Sequence, residues 1–333
     1  MVSMKEVAEL AGVSVATVSR ALSGKENVRE EVKEKIFQVI DELHYTPNML
    51  GRNLRKSSTK MILALVPSVS NPFYSRIVRG IEDVLSKKSY YLLLRNTYSE
   101  ESLYEKGIDL LRLRMADGLI WMDPTADISE IKKISAEFPL VCCSEIHSDH
   151  INSISIDNEE AIKEIYRHLL DQGYRRIALF GASPAYDYMR YRCVGYEAVA
   201  VESGVNYIKV VNTEFNKEKA QELFLELYHS DSRPDAVIAT SDVIAQYLLE
   251  VTERENIKVG TDFGLVGFDN IGFSSVTNPS LTTVQQPTYE IGEYAAKKVL
   301  DIIESKKKGG EATYKHMKMP HRLIIRNSSK KAS

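Results

Sequence analysis

Cysteine is scarce in this chain of 333 residues, where only Cys142, Cys143 and Cys193 occur. An odd number, with two residues adjacent in an apolar run, fits neither a disulfide framework nor the spacing of metal ligands. We expect buried thiols in a reducing compartment and no bound metal. No apolar run reaches the ~18 residues of a membrane span, and no signal peptide is recognisable at the amino terminus. These absences predict a cytoplasmic protein.

The signatures of common enzymes on nucleotide-binding folds are also missing. The chain has neither the G-x-G spacing of a dinucleotide-binding loop nor the G-x-x-x-x-G-K-[ST] loop that cradles phosphates. H-E-x-x-H is absent, and Gly181-Ala182-Ser183-Pro184-Ala185 only half matches a hydrolase elbow, because alanine replaces the last glycine. We therefore expect neither an enzyme nor a cofactor.

The composition is that of a folded protein with large buried cores. Apolar residues make up 44% of the sequence and charged residues 27%, and the length suits two or three domains. The net charge of −3 gives no sign of a nucleic-acid partner. Charge is unevenly distributed, however, because residues 1–60 carry ten Lys/Arg against eight Asp/Glu, and four of those bases fall within 52–60.

The first sixty residues begin with the pattern of two short helices joined by a turn. Ser3 and Glu6 have the spacing of a capping box. The apolar face that follows consists of Val7, Leu10 and Ala11. Gly12 can take the left-handed conformation that ends a helix, and Ser14 is placed to cap the next one, about Val15 to Leu22.

A third helix and a linker complete this region. The helix has its cap at either Asn27 or Arg29. Its apolar positions recur at helical spacing, at Val32, Ile36, Val39, Ile40 and Leu43. A break at residues 45–48 is followed by a polar, base-rich stretch, 51–60, which is typical of a linker.

The second helix presents small and hydroxyl side chains outward, which allows close approach to a DNA groove. The outward residues are Val15, Ala16, Thr17, Ser19 and Arg20. Thr17 and Ser19 can donate to phosphate oxygens, and Arg20 can donate two hydrogen bonds to guanine O6 and N7. Val15 and Ala16 offer only apolar contacts, for example with a thymine methyl. This pattern fits a helix-turn-helix, although a plain three-helix bundle with a solvated face fits it equally well.

From Met61 onward, short apolar runs alternate with amphipathic helices. The predicted strands are Ile62–Val66, Tyr90–Leu94, Gly118–Met122, Leu140–Cys143, Ser153–Ile156, Ile177–Phe180, Ile208–Val211, Ala236–Ala239 and Leu265–Phe268. Such alternation predicts an α/β body of doubly wound parallel sheets with helices on both faces. About 270 residues are too many for one such sheet, so we expect two lobes.

The head and several later motifs together resemble the lac/galactose repressor family. The resemblance begins in the run from Met4 to Gly24, which contains Val13-Ser14-Val15-Ala16-Thr17-Val18-Ser19-Arg20. It continues along the chain in Leu43-His44-Tyr45-Thr46-Pro47-Asn48, Arg52-Asn53-Leu54-Arg55, Asn71-Pro72-Phe73-Tyr74, Gly267-Phe268-Asp269-Asn270, Pro279-Ser280-Leu281-Thr282-Thr283-Val284-Gln285-Gln286-Pro287 and Arg322-Leu323-Ile324-Ile325-Arg326. It implies a transcription regulator, most simply a repressor, with a helix-turn-helix domain at 1–46, a hinge at 47–60 and an effector-binding body at 61–330.

The resemblance gives the linker a function. In the family, residues matching Asn48 to Lys56 form a short helix on operator DNA, and the leucine matching Leu54 inserts into the minor groove, as apolar wedges do in bent DNA. Tyr45, Asn48 and Arg55 are further expected DNA contacts. Gly51 stands where alanine is usual, which costs about 1 kcal/mol of helix stability. A plain linker is the alternative.

The resemblance also implies a body like the periplasmic sugar-binding proteins. We expect lobe one at about 61–158 and 289–320, and lobe two at about 159–288 and 321–330. Ligands in such sheets bind at the carboxyl ends of strands, where Asp269 and, in the same way, Asp242 are placed. The effector contacts that carry over by motif are Phe73, Tyr74, Arg192, Phe215 and Asp269, and Tyr186, Tyr188 and Tyr191 are further candidates near Arg192. Each has a structural alternative, such as a helix cap, an ion pair or a core position.

The effector itself cannot be read from these residues. The habit of the family favours a sugar or sugar phosphate, and a nucleoside or purine stays open, as does a phosphoprotein co-regulator. The family acts as dimers. Because the end of the chain, 327–333, carries no leucine heptads of the kind that make tetramers, we expect a homodimer. A transport protein with the same body would need no helix-turn-helix.

Overall fold

The fold is described from a computed structural model. The described residues are 2–22, 28–45, 58–123, 125, 127–143, 150–205, 207–310 and 313–331. They divide into two compact units, a head at Met1–Thr59 and a body at Lys60–Ser333.

The described part of the head contains three helices, α1 Met4–Ala11, α2 Val15–Leu22 and α3 Glu30–Glu42. The capping box is confirmed, because the Glu6 amide donates to Ser3 Oγ and the Ser3 amide donates to the Glu6 carboxylate. Gly12 ends α1 at φ 68°, and Ser14 Oγ accepts a hydrogen bond from the Thr17 amide at 3.1 Å. Arg29 is the N-cap residue of α3 and makes no side-chain capping hydrogen bond, and Asn27, the alternative, lies outside the described residues.

One assignment in the head is wrong. Leu10 was expected on the buried face of α1, but 60% of its surface is exposed. The core of the head is filled from α1 by Val7, Ala8 and Ala11, and Leu10 lies beyond the edge of that cluster.

The body contains two six-stranded sheets. The first joins β1 Met61–Val66, β2 Tyr91–Asn96, β3 Gly118–Trp121, β4 Leu140–Cys142, β5 Asn152–Ile156 and β11 His316–Met319, in the order β11-β5-β4-β3-β1-β2. The second joins β6 Ile177–Gly181, β7 Val210–Asn212, β8 Ala236–Ala239, β9 Gly264–Asp269, β10 Thr282–Gln285 and β12 Arg322–Ile324, in the order β12-β10-β9-β8-β6-β7. The doubly wound α/β prediction is confirmed.

The helices cover the sheets as expected. They are α4 Pro72–Lys87, α5 Glu101–Arg112, α6 Ile128–Glu137, α7 Asn158–Asp171, α8 Asp187–Glu202, α9 Lys217–Tyr228, α10 Asp242–Arg254 and α11 Thr288–Lys307. Two apolar clusters lie in each lobe, one on each face of its sheet. The chain passes between the sheets after β5, after β10 and after β11, which makes three crossovers.

Two features of the sheets differ from the expectation. Strands β10, β11 and β12 had no counterpart in the predicted set, and β12 pairs with β10 antiparallel. An antiparallel partner needs no crossover helix, and β12 enters directly from the other sheet through the third crossover. Among the described helices, none is long and apolar enough to cross a membrane.

Candidate functional site

The cleft between the two sheets contains an inner chamber of about 80 Å³. Its lining includes Asn71, Phe73, Tyr74, Ile77, Met122, Cys143, Ile154, Ser155, Asn158, Tyr188, Arg192, Phe215, Thr240, Ser241, Asp269, Gln286 and Ile291. Six residues singled out from the sequence therefore come together here, although they are spread over 197 positions between Phe73 and Asp269. The carboxyl ends of parallel strands bring them to one edge, which is where ligands of such sheets bind.

Asp269 supplies the carboxylate of the chamber. It is the last residue of β9, it is 8% exposed, and its φ of 115° is a strained value for a residue with a side chain. Its carboxylate accepts hydrogen bonds from Gln286 Nε2 at 2.8 Å and Ser241 Oγ at 3.1 Å. Burial, reinforced by the charge of Asp242, raises the pKa of Asp269 to about 7. Sugar hydroxyls that donate to this carboxylate would stabilise its ionised form.

Arg192 supplies the cation. Its Nε donates to Asn158 Oδ1 at 2.9 Å and its Nη1 to the Thr240 carbonyl at 2.5 Å. The guanidinium lies 3.6 Å from the ring centre of Phe268 and 5.0 Å from that of Tyr188. Hydrogen bonds in its plane and rings on its faces hold the group in one orientation.

Asp242 does not contact the chamber as its position after β8 suggested. Its carboxylate accepts hydrogen bonds from the Ile271 amide at 2.9 Å, Ser274 Oγ at 2.6 Å and Thr283 Oγ1 at 2.7 Å. Burial raises its pKa to about 6. It therefore fastens β10 and the turn after β9 to α10, directly behind Asp269.

Lobe one closes the chamber with aromatic side chains. Asn71 caps α4 by accepting from the Phe73 amide at 3.0 Å, and Pro72 occupies the first turn. The rings of Phe73 and Tyr74 meet edge to face with centres 5.0 Å apart. Burial raises the pKa of Tyr74 well above its usual value, and so do Asp123 of lobe one and Asp269 of lobe two. Tyr74 therefore faces charged groups of the opposite lobe.

A larger outer chamber of about 680 Å³ adjoins the inner one. The two share Asn71, Tyr74, Tyr188 and Phe215, and the outer lining adds Tyr98, Tyr186, Tyr247 and Phe273. Sequence reasoning missed most of this chamber, since only Tyr74, Tyr186, Tyr188 and Phe215 had been considered. Tyr191 lies outside both linings, with the Arg190 guanidinium 5.4 Å from its ring centre.

The second helix of the head presents part of the expected DNA-reading face. Val15, Ala16 and Arg20 are exposed, while Thr17 and Ser19 are half-buried. Thr17 Oγ1 lies 2.9 Å from Ser14 Oγ, so the two hydroxyls share a hydrogen bond. The DNA contacts of these residues stay predictions.

Of the remaining expected DNA contacts, one is buried in the head and three lie outside the described residues. Tyr45 is 7% exposed and packs in the core of the head, which leaves little of its surface for a DNA contact. Asn48, Leu54 and Arg55 lie outside the described residues.

A helix-turn-helix head and a two-sheet body with a polar cleft define a DNA-binding regulator with a ligand-binding body. Family profiles agree with this class: residues 3–48 match bacterial regulatory proteins of the lacI family, and residues 59–327 match the periplasmic binding proteins and sugar binding domain of the LacI family. The chain belongs to the LacI family and is a DNA-binding transcriptional regulator.

Individual relatives extend over the whole chain. The ribose operon repressor of Halalkalibacterium halodurans is 32% identical over 99% of this chain and 98% of its own length. A LacI family regulator from Enterococcus faecium, solved with bound ribose, is 27% identical, with a TM-score of 0.72 over 82% of this chain and all of its own. The lac repressor dimer bound to operator is 22% identical, with a TM-score of 0.87 over 98% of this chain and 99% of its own, and shows the fold.

Proposed function

We propose that this protein is a repressor that binds a two-fold symmetric operator as a homodimer, and that a sugar seated in the inner chamber controls its affinity for DNA. The observation that carries the proposal is the pairing of Asp269 and Arg192 in lobe two with Phe73 and Tyr74 in lobe one. Charged groups can form hydrogen bonds with sugar hydroxyls, and aromatic side chains can pack against the apolar face of the sugar ring.

The control of DNA affinity follows from the position of the chamber between the lobes. A ligand that touches Tyr74 and Asp269 together favours the closed arrangement of the lobes over the open one. The coupling cannot exceed the preference of the ligand for one state, which is typically about 1–3 kcal/mol. Closure then alters the spacing of the two hinges in the dimer. Whether the effector releases or strengthens DNA binding depends on which state suits the operator.

Ribose is the first sugar to test. A relative with 32% identity represses a ribose operon, and one with 27% identity was solved with ribose. The assignment of the chain to domains at 1–46, 47–60 and 61–330 belongs to the same proposal, as does its place in the cytoplasm. The relatives named are regulators, which supports a role without catalysis.

Calorimetry with a panel of pentoses and hexoses tests the chamber, and operator binding by the same protein tests the coupling. Asp269→Ala should abolish the ligand response, because each lost hydrogen bond to a charged group is worth about 1.5–3 kcal/mol. The variant should keep its ligand-free operator affinity, since the head is untouched. Full ligand affinity in Asp269→Ala would show that Asp269 is a structural residue and that the chamber is wrongly assigned.

A further inference from the structure

Two turns at the mouth of the cleft have the same unusual backbone. In lobe one, β2 is followed by Thr97 and then by Tyr98 and Ser99 at φ 51° and 58°. In lobe two, β7 is followed by Thr213 and then by Glu214 and Phe215 at φ 53° and 52°. Two successive left-handed residues without a glycine are strained, so each turn is held in place by its surroundings.

The anchors of the two turns also correspond. Thr97 Oγ1 donates to the Val66 carbonyl, and Thr213 Oγ1 donates to the Gly181 carbonyl, both at 3.1 Å. Each threonine amide donates to the same carbonyl at 2.8 Å. Both threonines are buried. The corresponding turns therefore support one aromatic residue on each lobe.

Those two aromatic residues remain open to solvent. Tyr98 is 63% exposed and Phe215 is 39% exposed, and both line the outer chamber. Tyr186 and Tyr188 line the same chamber with near-parallel rings, whose planes differ by 21°. Exposed aromatic rings on rigid, strained turns offer faces on which a flat ring can stack.

The charges around the cleft argue against an anionic ligand. Of the described lining residues of both chambers, Arg192 is the only cation, while Asp269 and Glu214 are acids. Three of the helix amino termini at the cleft have capped amides: Asn71 accepts from the Phe73 amide, Ser241 from the Val243 amide at 3.2 Å, and Asp157, before α7, from the Glu160 amide at 3.1 Å. Another, that of α8, carries Asp187 in its first turn. The negative charge of a phosphate would therefore meet few cations or free amide donors among these lining residues.

We infer that the effector is a neutral ribonucleoside: its pentose occupies the inner chamber, and its base stacks in the outer chamber on Tyr98 from lobe one and Phe215 from lobe two. This inference rests on the proposed function and specifies its ligand. The pentose is inferred from the two relatives whose names include ribose. The flat second ring is inferred from the paired turns and their exposed aromatic residues.

Calorimetry on the full-length protein tests the inference with ribose, uridine, adenosine and the 5′-monophosphates of all three. Uridine or adenosine should bind at least about tenfold more tightly than ribose, as expected for one stacked base. Each monophosphate should bind more weakly than its parent. Tyr98→Ala should remove about tenfold of the nucleoside affinity and leave ribose affinity unchanged, and Tyr98→Phe should restore it.

Tyr91→Ala is the matched control. Tyr91 begins the same strand, β2, and is 62% exposed, but it lies at the opposite end from the cleft. Its replacement should change no affinity. An equal loss of ribose and nucleoside in Tyr98→Ala would show damage to the fold of the lobe and overturn the stacking role.

The other outcomes separate this inference from the proposed function. The nucleoside inference would be overturned if ribose bound as tightly as both nucleosides, or if a disaccharide such as maltose bound more tightly. Either result would leave the proposal of a sugar-controlled repressor intact. Tighter binding of the monophosphates would overturn the inference that the effector is uncharged. If neither nucleoside binds, the inference fails, and the sugar panel with operator binding decides the proposed function on its own.

Discussion

Gln286 donates its side-chain amide to the Asp269 carboxylate at 2.8 Å, and Gln286 lies in the second crossover between the lobes. Asn158, directly after the first crossover, accepts a hydrogen bond from Arg192 at 2.9 Å. Both charged groups of the inner chamber are thus hydrogen-bonded to a residue in or next to a connecting segment. In the proposed function, a change in the crossover backbone during lobe closure moves these hydrogen-bond partners, which couples ligand contact to closure.

The free energy of unfolding of the ligand-free protein should fall as the pH rises from about 4 to about 7. Burial raises the pKa of Asp269 to about 7 and that of Asp242 to about 6. An unfolded aspartate titrates near about 4. Within this window the folded state holds protons that the unfolded state has released, so raising the pH costs stability, up to about 1.4 kcal/mol per pH unit for one group.

Urea titrations at both pH values measure this slope. Asp269→Asn is neutral throughout, so its stability should change less with pH than that of the wild type. If the two proteins show the same slope, other groups cause the pH dependence.

Arg20→Ala should relax the base preference at one guanine in each half-site and cost about 1–3 kcal/mol there. Arg55→Ala should weaken binding to all sequences alike and reduce the dependence of affinity on salt, as loss of a phosphate contact does. Binding to a set of single-base operator variants distinguishes the two. Equal losses on every sequence for Arg20→Ala would reduce Arg20 to a phosphate contact.

Leu54→Ala should lower operator affinity and DNA bending without changing effector affinity. An apolar wedge contributes only when it separates a base step in bent DNA. A gel-based bending assay, paired with calorimetry on the effector, measures both quantities. An unchanged bend angle would contradict the wedge.

Gly80→Ala should lower the free energy of unfolding by about 1–3 kcal/mol. A Cβ at Gly80 would lie 2.1 Å from the carbonyl oxygen of Tyr289 on α11, so α4 and α11 would have to separate. Gly272→Ala is the control, because nothing lies within 4 Å of a Cβ at that position. Equal stabilities of the two variants would show that the helix pair can adjust.

The sequence predicted those elements whose buried residues are apolar. Ala236–Ala239 was found with its correct bounds, since all four residues are buried. Strand β10 was missed because its buried threonines are polar. Thr283 Oγ1 donates to Asp242 at 2.7 Å, and Thr282 Oγ1 lies 2.7 Å from Ser329 Oγ. Hydrogen bonds to distant residues thus allowed polar side chains into a core strand, which no local pattern reveals.

The site was predictable only in part for a similar reason. Asp269 and Phe73 belong to motifs that mark their positions, so their place at the inner chamber could be predicted, while their contact with an effector stays a prediction. Tyr98 was not, because its place in the cleft depends on two left-handed residues where the sequence has no glycine to signal a turn. Such a backbone is fixed by tertiary contacts, including the bond from the Tyr98 amide to the Pro67 carbonyl at 2.9 Å.

The two sheets share one strand order, since β2-β1-β3-β4-β5 in lobe one corresponds to β7-β6-β8-β9-β10 in lobe two. The chemistry of the inner chamber breaks this repeat, because Asp269 and Arg192 both belong to lobe two and the facing aromatic pair, Phe73 and Tyr74, belongs to lobe one. In the proposed function, the ligand therefore binds first to the charged lobe of an open cleft, and the other lobe closes over it afterwards. The association rate should then depend mainly on lobe two, and the residence time on how firmly lobe one closes behind the ligand.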